Sequence, residues 1–145
     1  MKIAQTIRYA QAIQPGPIVD NAAFTSVVVD TLGFEDVTFI LSLGSIDAAL
    51  AGLKVTESDT AGGAQTDVPT SAYAADELPG ATDDGKLYGV HVVLINRKRF
   101  LRLVATAGDG AAGTYASALA LLTRPKTEPS DAASRGLAFD KTVIS

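Results

Sequence analysis

The stretch 87–106 constrains the fold more than any other part of the sequence. In it, two apolar, strand-like arms flank a basic turn that contains Arg97, Lys98 and Arg99. In the first arm, 87–95, both alternating sets of residues are mostly apolar, which predicts a central strand. The second arm alternates more clearly, with Leu101, Leu103 and Ala105 on one side. We therefore predict a buried β-hairpin at the centre of a β-sandwich, with the basic turn at its tip.

Strand patterns also occur on both sides of this stretch. The cleanest is 37–43, where Val37, Phe39 and Leu41 alternate with more polar residues. Shorter patterns at 27–31 and 53–57 predict two further strands. Between them, 45–50 fits one helical turn capped by Ser45. The alanines and leucines of 115–122 permit a helix by propensity, but the flanking glycine and proline favour a strand.

These patterns predict an all-β protein with a single β-sandwich or jelly-roll domain at 24–123. A chain of 145 residues fits one domain. Residues 1–23 contain Pro15-Gly16-Pro17, which forbids a continuous helix and predicts an extended amino-terminal arm. Residues 124–145 form a carboxyl-terminal tail. In 58–85, apolar residues are sparse and turn residues are frequent, and a loop of this length is often functional.

Several residues of these segments are candidates for contacts with other molecules. Apolar side chains on the arm and tail are too sparse to fold alone, so they must pack on the body or on a neighbouring subunit. Tyr73 is the aromatic residue within the predicted contact loop, and the basic turn offers three cations. The predicted interaction residues are Ile3, Ile7, Tyr9, Ile13, Tyr73, Arg97, Lys98, Arg99, Leu137 and Phe139.

Composition argues against several classes of partner. The formal net charge of −4 disfavours binding to nucleic acid or to anionic membranes by bulk electrostatics. No apolar run approaches the ~18 residues of a membrane span, and the amino terminus lacks the apolar core of a secretion signal. Because the chain has no cysteine, disulfides and thiolate metal sites are excluded.

The sequence contains no recognisable catalytic constellation. His91 is the single histidine, and no nucleophile or carboxylate lies near it by sequence spacing. The loop carboxylates lack the spacing of a calcium loop, so solvated turn residues are favoured over a metal site. These carboxylates are Glu57, Asp59, Asp67, Asp83, Asp84 and Asp109. We therefore expect neither enzymatic activity nor a cofactor. The basic turn either binds an anionic partner or, as we favour, pairs with acidic neighbours.

Four segments within 24–123 carry a resemblance to known proteins: VVVDTLGFEDVTFILSLG, ALAGLKVTESDT, LPGATDDGKLYGVHVVL and RKRFLRLVATAGDGAAGTYASALALL. In this combination the chain resembles a group of small virion structural proteins of tailed bacteriophages. It implies a capsid decoration, or cement, protein that binds the outside of the major capsid protein lattice, commonly as a homotrimer. The expected location is then the capsid exterior of a virion assembled in the bacterial cytoplasm.

Two alternatives remain open. One is a virion module for carbohydrate binding or host adhesion, since LKVTESDT is similar to a strand and turn of galactose-binding-like jelly rolls. In those proteins an aromatic residue usually follows the turn, where this chain has Gly62-Gly63-Ala64. The chain also has no tryptophan, and only Tyr73 and Tyr115 are well placed for a sugar. The other alternative is a tail or head-completion protein.

Overall fold

The computed structural model describes residues 6–141 and 143. Their secondary structure consists of eight β-strands, and no α-helix is present among them. The strands are β1 (Arg8–Ile13), β2 (Val29–Asp30), β3 (Phe34–Leu43), β4 (Gly52–Ser58), β5 (Thr66–Asp67), β6 (Leu87–Val93), β7 (Phe100–Thr106) and β8 (Ala116–Pro125). They form two antiparallel sheets, as expected for a β-sandwich.

The two sheets contain four strands each. The first, sheet A, has the order β1-β8-β3-β6, and the second, sheet B, has the order β2-β7-β4-β5. Only β4 and β5 follow each other within one sheet, so every other connection along the chain crosses from one sheet to the other. This arrangement places β6 at one edge of sheet A and β1 at the opposite edge.

The core lies between the sheets and follows the alternation of the strands. Phe39 and Leu41 of β3 are fully buried beside their cross-strand partners Ala120 and Ala118 on β8. Large side chains therefore pack next to small ones on this inner face. Sheet B contributes Val55, Leu101 and Leu103, as well as other buried residues, from β4 and β7.

The predicted central hairpin is wrong. β6 pairs with β3 in sheet A, whereas β7 pairs with β4 and β2 in sheet B, so the basic turn joins two sheets. β6 is also an edge strand, and the apolar residues on its outer face are exposed; Leu87 has 67% of its surface accessible. Alternation along 87–106 reports which residues share a face, but it does not identify the pairing partner of each arm.

The predicted helical turn at 45–50 is also wrong. The backbone N–H of Ile46 donates to the Asp84 carboxylate at 3.0 Å, and that of Leu50 donates to the Pro79 carbonyl at 3.0 Å. Ile46 and Leu50 are both buried. Hydrogen bonds to 79–84 therefore replace the bonds that a helix would make. The strand at 115–122 is confirmed as part of β8, and the predicted strands at 37–43 and 53–57 are confirmed as β3 and β4.

The ends of the chain are more closely tied to the sandwich than the predicted arm and tail. β1 lies within 1–23 and pairs with β8, with a register shift between Gln11 and Ile13. In the tail, the carbonyl of Arg135 accepts a hydrogen bond from the N–H of Tyr9 at 2.7 Å. The segment 58–85 also packs on the body, since Val68 and Pro79 are buried.

Candidate assembly surfaces

The basic turn is neutralised by acidic neighbours. Arg97 pairs with Glu57 at 3.2 Å, and Lys98 lies 3.7 Å from the carboxylate of Asp59. The Arg99 guanidinium donates two hydrogen bonds, both of 2.8 Å, to the two oxygens of Asp30. These bonds from Arg99 hold the pKa of Asp30 below its usual value. These ion pairs therefore hold the turn between the two sheets in place. The turn presents little unpaired positive charge to a partner.

The other predicted interaction residues are dispersed. Ile7 and Tyr9 are half-buried, and Ile13 is buried in the core; Ile3 lies outside the described residues. The hydroxyl of Tyr73 donates to the Gly89 carbonyl at 2.6 Å, and its ring meets that of Tyr88 edge-on. Tyr73 and Arg97 line one cleft, while Leu137 and Phe139 are in the tail. These residues therefore do not form one continuous site.

His91 lies on the outer face of sheet A between two polar neighbours. Its Nδ1 is 2.8 Å from the Thr38 hydroxyl, and its Nε2 is 3.9 Å from Oδ1 of Asp36. Strand pairing brings these residues together, because Thr38 is directly opposite His91 in the register of β3 and β6. Sequence spacing missed this contact, since the two residues are 53 positions apart.

The His91 cluster sits on an open sheet face, and its geometry fits a structural role. The Asp36 side chain is 7% exposed and pairs with Arg124 at 3.3 Å. Its Oδ1 atom has no hydrogen-bond partner in the described part of the chain. Within that same part, no three histidine or carboxylate side chains converge as a metal site requires. None of the described residues forms a helix that could cross a membrane.

Sheet A carries an apolar patch on its outer face, away from the core. The patch consists of Tyr9, Ile40, Leu119 and Leu121. Leu119 is directly opposite Ile40 across the β3–β8 pair, and Leu121 is directly opposite Tyr9 across the β1–β8 pair. Leu119 is 45% exposed, and the other three side chains are partly accessible. An apolar group on the solvent side of a sheet is typical of a contact surface.

The sequence contains a signal for this patch. In β8, Leu119 and Leu121 alternate with Ala118 and Ala120, and the sequence does not show which set faces the core. The structure buries the alanines and exposes one of the leucines. Ile40, which interrupts the polar set of β3, is the matching signal on the neighbouring strand.

A cleft of about 700 Å³ lies beside the edge of sheet A. One wall is β6 at 89–93, and the other is the segment 68–73 that follows β5. Val68 and Val92 are buried at its base, whereas His91 is exposed. The cleft therefore has a partly apolar base and the backbone of an edge strand along one side.

No protein-family model matches this chain, and a search of curated proteins gives no match.

Proposed function

We propose that this protein is a capsid decoration protein of a tailed bacteriophage, which binds the outer surface of the major capsid protein lattice and stabilises the head. The observation that carries the proposal is the apolar patch of Tyr9, Ile40, Leu119 and Leu121 on the outer face of sheet A. Each apolar side chain that such a contact covers fully contributes about 1.5–3 kcal/mol. The patch therefore supports a role in assembly.

The order of the strands gives further support. Two four-stranded sheets of order β1-β8-β3-β6 and β2-β7-β4-β5 support the jelly-roll form of the β-sandwich, which is common in viral capsid proteins and lectins. This is an argument from fold and is weaker than one from a site. Together with the sequence resemblance to virion proteins, it favours a structural role on the capsid exterior.

Attachment to a lattice suits a protein with a small contact patch. Several weak contacts that a lattice presents together give a higher overall affinity than one contact with a free coat subunit. A homotrimer on the capsid would present its patch three times. The basic turn is a secondary contact in this proposal, because Arg97, Lys98 and Arg99 already have acidic partners.

The test is cosedimentation with undecorated capsids of the phage that encodes the chain. Leu119→Lys places a charge in the patch, and we expect it to weaken capsid binding at least tenfold. Ala51→Lys is the matched control, since it adds the same charge at an exposed alanine that precedes β4 in sheet B. It should bind like the parent. The proposal fails if the parent binds capsids no better than unassembled coat protein, or if Leu119→Lys binds as well as the parent.

A second candidate is a carbohydrate-binding module for host adhesion. The cleft at β6 favours it, because Tyr73 and His91 line a concave surface. It ranks second because the Tyr73 hydroxyl is already bonded to Gly89 and the Tyr73 ring packs against Tyr88. Glycan-array binding that is lost in Tyr73→Ala would favour adhesion over capsid decoration.

A further inference from the structure

The outer edge of β6 has backbone groups that find no partner within residues 6–141 and 143. The N–H of Leu43 donates to the Lys86 carbonyl at 3.1 Å, and the N–H of Leu94 donates to the Glu35 carbonyl at 2.9 Å. Because hydrogen-bonded pairs alternate along antiparallel strands, the even-numbered residues from 86 to 94 bond to β3. The odd-numbered residues 87, 89, 91 and 93 therefore direct their N–H and C=O groups away from the sheet. Among these groups, the Gly89 carbonyl has a partner, the Tyr73 hydroxyl.

This edge lacks the usual protection against strand addition. Edge strands are commonly short, charged or covered, and β6 has seven residues with no Lys, Arg, Asp or Glu among them. The opposite edge differs, because β1 is covered by hydrogen bonds from Val27 to Ala12 and from Tyr9 to Arg135. In sheet B, the edge strands β2 and β5 have two residues each.

The cleft beside β6 fits one extended segment better than a whole second domain. Its second wall, 68–73, leaves about 700 Å³ between itself and 89–93. Five residues of strand span about 16 Å, which matches the length of 89–93. An added strand would bond to the outward-facing backbone groups of β6 other than the Gly89 carbonyl, which accepts from Tyr73, and would cover Val68 and Val92.

The carboxyl-terminal tail has the chemistry of such a strand. Phe139 and Val143 are each 81% exposed, so two large apolar side chains are left in solvent at one end of the chain. The sequence Thr142-Val143-Ile144 is a β-branched run, which favours a strand. Residues 139–145 therefore combine strand propensity with two exposed apolar side chains, those of Phe139 and Val143.

The tail is anchored at β1, which is the edge of sheet A opposite to β6. The Arg135 side chain is ion-paired with Asp140, and the Arg135 carbonyl is bonded to Tyr9 of β1, which anchors the tail up to Asp140 at the β1 edge. β6 is three strand spacings away, about 14 Å, and residues 141–145 extend to about 16 Å. Crossing the sheet would take up residues 141–145, so these residues could not also pair with β6 of their own molecule.

We propose that residues 139–145 of one molecule add as an antiparallel strand to β6 of a second molecule, in the cleft against 68–73. The donor segment leaves at the β1 edge and the acceptor is the β6 edge, so the contact is head-to-tail. Such a contact forms closed rings when the rotation between copies closes, and a trimer is one such ring. The inference does not depend on capsid binding.

The test separates donor from acceptor. A chain that stops after Asp140 keeps the Arg135–Asp140 pair and the acceptor edge but lacks most of the donor strand. His91→Pro keeps the donor but blocks the acceptor, because its missing N–H points away from β3 and its ring lies where the added strand would sit. Val93→Pro is a second acceptor-blocked variant in case His91→Pro fails to fold. Sedimentation velocity at micromolar concentration measures association without any capsid present.

We expect the full chain to associate, and the truncated chain and the proline variant each to be monomeric. Mixed in equal amounts, these two variants should form a one-to-one complex that grows no further, since the mixture contains one functional donor and one functional acceptor. The proposal is overturned if the full chain is monomeric, if the truncated chain associates as strongly as the full chain, or if the mixture forms no complex.

Discussion

Glu57 and Arg97 form an ion pair of 3.2 Å that joins β4 to the turn between β6 and β7. The other Glu57 oxygen accepts the backbone N–H of Lys98 at 3.0 Å, and the Glu57 side chain is 9% exposed. One carboxylate therefore fixes both a cation and the backbone of the turn that crosses between the sheets. The turn is held in place by this contact, as expected for a basic turn that pairs with acidic neighbours.

We expect Glu57→Ala to lower the free energy of unfolding by about 1–3 kcal/mol, because it leaves a partly buried guanidinium and a backbone N–H without their acceptor. Glu35→Ala is the matched control. It removes one of the two acidic partners of Arg124, in a more exposed pair of 2.7 Å, and it should cost about 0–1 kcal/mol. Urea unfolding of both variants measures the difference. If both variants lost the same free energy of unfolding, then the burial of Glu57 would not make its ion pair with Arg97 more stabilising than the exposed pair.

A second prediction concerns Gly136, which holds the tail against β1. Its φ is +76°, and a Cβ at this position would overlap the carbonyl of Tyr9. Gly136→Ala should therefore release the tail from β1 while leaving the core intact. Limited trypsin digestion should cut faster after Arg135 in the variant, with little change in thermal unfolding. Ala133→Ser, at an exposed neighbouring position, should digest like the parent. Unchanged digestion of Gly136→Ala would contradict the proposed anchoring.

The strands were largely predictable from alternation, whereas their partners were not. β3 was predicted because apolar residues alternate with more polar ones, and β8 because a glycine and a proline bound its run of alanines and leucines. The partner of β6 was missed because its pairing with β3 joins residues 45–57 positions apart, and no local pattern encodes that choice. The position of β6 at a sheet edge depends on this pairing, so the sequence did not predict the proposed acceptor edge for the tail either.

The candidate surfaces were predictable only in part. The acidic partners of the basic turn were favoured from its charge, although Glu57 and Asp30 could not be named as those partners. The patch around Leu119 escaped prediction because the core accepts the alanines of β8 beside Phe39 and Leu41. Packing against a partner strand, rather than side-chain size alone, decides which face is buried.

A third prediction concerns His91. The imidazole is 54% exposed, and it contacts the Thr38 hydroxyl on the outer face of sheet A beside the cleft at β6. His91→Ala should change the free energy of unfolding by less than about 1 kcal/mol, since an exposed hydrogen bond contributes little. The parent should also show no hydrolysis of an activated ester above the buffer rate. A rate that His91→Ala abolishes would establish catalysis by the Thr38–His91 pair and contradict a purely structural role.

The last prediction is that protonation of Asp83 in acid lowers the stability of the folded protein. Its carboxylate accepts hydrogen bonds from the Lys86 ammonium at 2.5 Å and from the N–H of Gly80 at 2.7 Å. These bonds, that of Lys86 first, lower the pKa of Asp83 from 3.8 to about 2. A carboxylate whose pKa is lower in the folded state stabilises that state above its unfolded pKa. The contribution is therefore present above pH 3.8 and is lost as the pH falls through about 2.

We therefore expect Asp83→Asn to melt at a lower temperature than the parent at pH 7, because it lacks the charged acceptor. The difference should shrink as the pH falls below about 4 and should vanish below about 2, where the parent carboxyl is protonated. Thermal unfolding followed by circular dichroism between pH 7 and 1.5 measures both curves. Asp76→Asn, at an exposed aspartate in 68–77, is the control and should change stability by less than about 0.5 kcal/mol. If the melting difference for Asp83→Asn stayed constant down to pH 1.5, then the bonds from Lys86 and Gly80 would not stabilise the turn at 80–86 through the charge of Asp83.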